Sequence, residues 1–337
     1  MMRRYWDTCI KARPGRRRSQ KSVAETVFFL SPNAKIGGVA VFANLCSVTM
    51  SIRGLNLLEL IALAKTNHFG GIDLPAEALQ SEEAASSAAR TMADAGLEWG
   101  IFWLPADFSS CSDSQYRDAM RILHKVLPLV QLAGCTRCYN HIWPGSKDKT
   151  YLANFRFHAS RLKALADLLG RYGVTLGLEF IGAKTLRDDF KYPFVHTLAE
   201  ALELADAVDP TVGIVLDMYH LYTSGGCIED LRQTLPADRI VNIHANDAPL
   251  GRAREEQMDM EREMPLATGV IDAPGIVRWL KEVGYSGPVI AEPFAPTNAR
   301  FAAMPPEAVA QEVGECMTRL LGCCSEKVLL AARKPIY

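Results

Sequence analysis

"VGIVLDMYH", residues 212–220, runs an apolar segment into a carboxylate and then an imidazole. Five of its first six residues are Val, Gly, Ile or Leu, the composition of a strand buried on both faces. Asp217 falls where that burial should end, and His220 follows in what reads as a loop. A strand apolar on both sides belongs to a parallel sheet, which needs helices to cover it.

The rest of the chain repeats the same unit. Short apolar runs occur at 37–45 (GGVAVFANL), 70–75 (GGIDLP), 97–105 (LEWGIFWLP) and 135–143 (CTRCYNHIW). Others follow at 174–182 (VTLGLEFIG), 240–247 (IVNIHAND) and 287–294 (GPVIAEPF). Helix-like stretches such as "NLLELIALAKTNH" and "NFRFHASRLKALADLLGRYG" separate them, and Gly96, Gly134, Gly173 and Gly284 supply left-handed stops before the next strand. Eight such units, over a span near the roughly 250 residues of a typical barrel, predict a (β/α)8 TIM barrel of the α/β class. A doubly wound open sheet would carry a glycine-rich phosphate turn after its first strand, and "ANLCSVTMS" is not one. The reading is a single barrel domain over 36–325. A basic, acid-poor N-terminal extension over 1–35 reads as disordered, and 326–337 as a C-terminal tail.

Composition narrows the partners. The 337 residues are 49% hydrophobic and 22% charged with a net charge of −1, so nothing in the balance calls for nucleic acid or an anionic membrane. No apolar run approaches the roughly 18 residues of a membrane span. The 9 cysteines are odd in number and scattered, which fits a reducing, cytoplasmic setting. "CTRC" has metal-knuckle spacing, but no second pair completes a zinc site, so Cys135 and Cys138 read as packing residues.

In a parallel barrel the chemistry gathers where the strands end. Strand five ends on Glu179, strand six on Asp217 with His220 beyond, strand seven on His244 with Asp247 beyond, and strand eight on Glu292. One acid at a strand end is ordinary; four consecutive strands delivering Glu, Asp, His and Glu to one rim is not. Three crowded carboxylates repel unless protonated or neutralised, and one divalent cation is the economical solution. Mixed oxygen and nitrogen donors suit Mn2+, Co2+, Mg2+ or Zn2+, with Mn2+ favoured because oxygen dominates.

This order of residues resembles the sugar phosphate isomerase/epimerase family of xylose isomerase-like barrels. The segment 262–294, "REMPLATGVIDAPGIVRWLKEVGYSGPVIAEPF", is similar to that family's C-terminal pattern. The resemblance implies metal ligation by Glu179, Asp217, His244 and Glu292, and contact of His220 with a substrate oxygen. In the ketose 3-epimerase branch an Arg follows the strand-seven His by six residues. Leu250 stands there, leaving Arg252, Arg254 or Arg262 to substitute.

The chemistry such a site suits is proton transfer beside a carbonyl. A chelating metal polarises the C=O and stabilises the enediolate, while Glu179 and Glu292 exchange protons on its two faces. The expected activity is isomerisation or epimerisation of a keto-sugar or related polyol. A lyase eliminating from the same intermediate is the neighbouring alternative, and a non-catalytic sugar-binding barrel the non-enzyme one. His141 and Trp143 after strand four, and Arg262, are further candidates for substrate contact. His68, His124 and His158 fall on helices and read as structural, and "GRAREEQMDMERE" (251–263) reads as a lid or solvated insertion. The expected partner is a small-molecule carbohydrate, with homo-oligomerisation left open.

Overall fold

Each apolar run became a strand only where its backbone meets a neighbour, so the strands are shorter than the runs. The computed structural model describes residues 41–322. Its barrel strands are β1 (Phe42–Leu45), β2 (Gly71–Ile72), β3 (Glu98–Trp99), β4 (Arg137–Ile142), β5 (Thr175–Phe180), β6 (Gly213–Asp217), β7 (Ile240–Ala245) and β8 (Pro288–Ala291). They form one curled sheet in the order 3-2-1-8-7-6-5-4, with every adjacent pair parallel. This is the TIM barrel. Between β3 and β4 no ladder forms, and the Phe102 N–H donating to Arg137 O (3.0 Å) ties the two edges together. The extension over 1–35 and the tail over 326–337 lie outside the described residues.

The covering helices are α1 (Leu57–Thr66), α2 (Glu82–Ala95), α3 (Asp113–Ala133), α4 (Tyr151–Gly170), α5 (Leu198–Val208), α6 (Ile228–Thr234), α7 (Ala273–Glu282) and α8 (Pro306–Gly322). Their starts are written in the sequence. Asn56, Ser112 and Thr197 each cap a helix and donate their own backbone N–H to the side chain of a Glu or Gln three residues on. Gly96 (φ 67°) and Gly134 (φ 83°) end α2 and α3 in the left-handed conformation that glycine adopts without strain.

Three details differ from the sequence reading. His220 does not lie in a loop: Met218–Thr223 is a short helix whose first N–H groups, Tyr219 and His220, bond Asp217 Oδ1 at 2.7 and 3.0 Å. His68 sits just past α1 at φ 62°, not on it. The 251–263 segment is exposed along most of its length, but Gln257 and Arg262 within it are buried.

Inside the barrel, packing aims the strand ends. Between Ile214 and Val215 the register of β6 on β7 slips, so that Val215 faces Asn242 and Asp217 faces His244. The residue passed over, Val241, occupies space left by two glycines: a Cβ on Gly213 would lie 2.4 Å from Arg239 O and 2.7 Å from Val241 Cγ2, and one on Gly177 would lie 3.0 Å from Val241 Cβ. The bulge thus turns the ends of β6 and β7 toward each other.

Gly213→Ala should destabilise the protein by about 1–3 kcal/mol, the usual cost of overpacking. Urea unfolding measures it, and an unchanged midpoint would show that the bulge tolerates the methyl group.

Candidate metal centre

Glu179, Asp217, His244 and Glu292 each offer one ligating atom, and those atoms all lie within 4.8 Å of one another. All four residues are buried. His244 Nδ1 stands 3.0 Å from Glu179 Oε1, 3.3 Å from Glu292 Oε2 and 3.9 Å from Asp217 Oδ2. Four neighbouring strands therefore converge on one point, as the parallel arrangement requires. His220 is buried as well and accepts the Gly182 N–H at Nδ1 (3.2 Å).

Arg262 completes the centre, reached through the loop after β7. Asp247 and Glu263 exchange backbone bonds of 3.0 and 2.9 Å, folding the loop back over the barrel mouth. Asp247 is buried and takes the N–H groups of Thr268, Gly269 and Ile271, so its role is to hold this return. Arg262 Nη1 then donates to Asp217 Oδ2 at 2.6 Å and Glu292 Oε2 at 2.8 Å, while Nη2 donates to Asp259 Oδ1 at 2.7 Å. The guanidinium lies over the rings of Tyr219 (4.9 Å) and Phe294 (4.6 Å). Of the three arginines open to this role, Arg252 pairs instead with Glu261 and Arg254 stacks over Tyr222. Leu250, at the position of the 3-epimerase arginine, is exposed.

The charges are tightly interdependent. Burial pushes Glu179 up, yet the adjacent His244 and His141 outweigh it and hold the carboxyl below its ordinary value. Asp217 likewise lies far below its usual range, because Arg262, His220 and His244 overcome its burial. Glu292 is raised, its burial exceeding the pull of His244 and Arg262. Burial would strip His244 of its proton, but Glu292 and Glu179 keep it charged well above the usual imidazole range. His220 is lowered by burial.

The donor set fits a divalent cation. Donors about 2.0–2.2 Å from one ion stand no more than roughly 4.4 Å apart, so these atoms need to draw in by only a few tenths of an ångström. Glu179 Oε2 is buried without a hydrogen-bond partner, an atom that a cation would satisfy. Asn242 Nδ2 stands 3.2 Å from His244 Nε2, behind the ring, so that Nδ1 faces the quartet.

The remaining candidates divide. His141 reaches the quartet, with Nε2 3.4 Å from Glu179 Oε2. Trp143 donates from Nε1 to Asp107 Oδ2 at 2.6 Å, which ties it to the loop after β3. His158 is buried on α4 against Asn154 O, in keeping with a structural role, and Cys135 and Cys138 are buried, free thiols. Sequence reasoning missed Asn246, whose Nδ2 donates to both oxygens of Asp217 (3.2 and 3.3 Å), and Asp259, the anchor of Arg262. Asn246 follows His244 by two residues, so the alternation that places His244 inside the barrel also places Asn246 there.

Among known proteins, a family profile described as xylose isomerase-like TIM barrel matches residues 61–320. The inosose isomerase of Bacillus subtilis (strain 168) is 32% identical over 146 residues, which is 42% of this chain and 48% of the relative. The chain thus spans about half the length of the curated relatives it matches. A xylose isomerase domain protein from Alicyclobacillus acidocaldarius subsp. acidocaldarius superposes with a TM-score of 0.68 at 26% identity, covering 84% of this chain and 99% of that one. The IolI protein, solved with a bound zinc atom, superposes at 0.69 with 18% identity, over 86% of this chain and all (100%) of that one, a likeness of fold.

A cation entering the quartet must displace the proton that His244 holds well above the usual imidazole range. Uptake at pH 7 should release about one proton, and affinity should fall as the pH is lowered. Calorimetry in buffers of different ionisation enthalpy reads this directly; a heat independent of buffer would contradict it.

Proposed function

The chain belongs to the xylose isomerase-like TIM barrel family, and on that footing we propose that it is a divalent-metal-dependent isomerase or epimerase of a keto-sugar or keto-polyol. The observation that carries this reading is the convergence of Glu179, Asp217, His244 and Glu292 from four adjacent strands. The inosose isomerase relatives support a cyclic keto-polyol as the substrate class. Three oxygen donors to one nitrogen favour Mn2+ over Zn2+, with Co2+ and Mg2+ also compatible.

A cation held by the quartet would supply Lewis acidity, drawing charge from a carbonyl and easing loss of the neighbouring C–H proton. The side chains do the rest. Glu179 and Glu292 enter from β5 and β8, the two ends of a four-strand arc, so each can take or return a proton at a carbon placed between them. His141, which is partly exposed, faces the open Oε2 of Glu179 and can hold a substrate hydroxyl there. His220 and Arg262 form the wall beside Asp217; their contact at 3.0 Å, with the Tyr219 and Phe294 rings against the guanidinium, holds that wall in place before binding. The loop over 246–263 covers the mouth and limits water around the reacting carbon.

With Mn2+ present, 2-keto-myo-inositol in D2O should lose the NMR signal of the C–H beside its carbonyl as deuterium enters. Glu179→Gln and Glu292→Gln should each slow this by about a hundredfold or more, the usual scale of a lost general acid or base, with the circular dichroism spectrum unchanged. Wild-type rates in both variants would sink the two-carboxylate mechanism, and elimination products without exchange would point to a lyase.

A further inference from the structure

The half of the barrel opposite the quartet contains a polar pair that is left incomplete. Asn44, inside β1, donates from Nδ2 to Asp73 Oδ1 at 2.8 Å, and the Ile101 N–H reaches the same oxygen at 3.3 Å. Both residues are more than nine-tenths buried. Asp73 Oδ2 and Asn44 Oδ1 are buried without a hydrogen-bond partner among the described residues. The Cys46 thiol stands alongside Asp73 as a weak donor. Gly100 makes room for the pair: a Cβ there would lie 2.5 Å from Asp73 Oδ1 and 2.6 Å from Asn44 Nδ2. Buried polar atoms are almost always bonded, so the unmet Asn44 Oδ1 and a carboxylate whose second oxygen has no partner stronger than a thiol leave a place for a donor from outside the chain.

The surroundings indicate which donor. Asp73 and Trp103 line a cavity of about 160 Å³ at the carboxyl ends of β1–β3, together with Ser47, Leu60 and the exposed Arg53. The cavity shares a wall with the metal centre. Trp103 packs on Tyr139 (5.7 Å between centroids), and Tyr139 meets His141 at 5.3 Å and His244 at 5.2 Å. Asp73 also feels the charge of His244 across this space. Burial raises its carboxyl to about 6, against Cys46, Asn44 and the Ile101 N–H, all of which favour the charged form.

We propose that Asp73, backed by Asn44 and flanked by Trp103, is a hydroxyl-binding subsite for the end of a keto-polyol remote from its carbonyl. This rests on the function proposed above and sharpens its substrate class. A hydroxyl donates to Asp73 Oδ2, Arg53 offers a donor to a hydroxyl oxygen in the same cavity, and the Trp103 ring faces the apolar C–H side of the substrate. A carboxylate or phosphate at that end would meet the Asp73 charge, so the subsite selects neutral polyols over sugar acids and sugar phosphates.

The test uses the full-length, Mn2+-loaded protein and two probes, with binding read by calorimetry and C–H exchange by NMR. One is 2-keto-myo-inositol, hydroxylated around its whole ring; the other is dihydroxyacetone, which has no carbon beyond the two next to its carbonyl. Asp73→Leu should weaken 2-keto-myo-inositol binding and raise its KM roughly tenfold to a hundredfold. Dihydroxyacetone exchange and bound-metal stoichiometry should stay at wild-type values. Asp73→Asn, which keeps the shape, should show a smaller loss with the same selectivity. Unchanged binding of 2-keto-myo-inositol in Asp73→Leu, or equal losses for both probes, would overturn the subsite. Asp73-dependent binding without C–H exchange in the wild type would leave the subsite standing and sink the proposed reaction instead.

Discussion

Three carboxylates buried around one imidazole, with one guanidinium behind them, set the terms for the rest of the molecule. Glu179, Asp217 and Glu292 cannot all be charged in a dry pocket without counter-charge, because the Coulomb cost of like charges rises steeply as water is removed. His244 and Arg262 provide that counter-charge, and each is held by more than its ion pairs. His244 is backed by Asn242 and a Tyr139 ring, and Arg262 by Asp259 and two aromatic faces. Asp217 divides its oxygens, Oδ1 capping the short helix and Oδ2 facing Arg262. The strand end, the helix start and the charge balance are thus fixed by one side chain.

This constraint explains the long return after β7. A guanidinium on β7 or β8 could not approach Asp217 and Glu292 from outside the sheet, so the chain leaves the barrel, pairs Asp247 with Glu263 and comes back over the mouth. Backbone bonds from Phe294 to Arg262 (3.1 Å) and from Ala295 to Met260 (3.0 Å) then lock the returning segment to the exit of β8. The opposite half of the barrel has shorter strands and a different polar group, Asn44 with Asp73. The rim therefore differs across the barrel, with three carboxylates, an imidazole and a guanidinium on one half and the Asn44–Asp73 pair on the other.

The barrel was legible because its signals are local: alternating apolar runs, capping residues at helix starts and glycines at their ends. The quartet was legible because a parallel barrel brings every strand end to one rim, so Glu179, Asp217, His244 and Glu292 needed no long-range information. Arg262 was visible only as one of three arginines, since choosing among them depends on where the loop turns back. The segment around it is dense in charge and mostly exposed, and nothing in it marks Arg262 as the side chain buried against Tyr219, Phe294 and Asp259. His220 was misplaced in a loop because the second role of Asp217, as a helix cap, leaves no trace in strand alternation. Asp73 has no such signal, since nothing in "GGIDLP" shows that Gly100, far along the chain, opens space for it.

The central claim is that the four strand ends together hold one divalent cation. Diffraction from crystals grown with Mn2+, recorded at a wavelength where manganese scatters anomalously, locates the ion without reference to activity. One anomalous peak per chain, in contact with Glu179, Asp217, His244 and Glu292, is the expected result. A quartet still bridged by the His244 proton, with no peak among its oxygens or with the peak elsewhere, would contradict it.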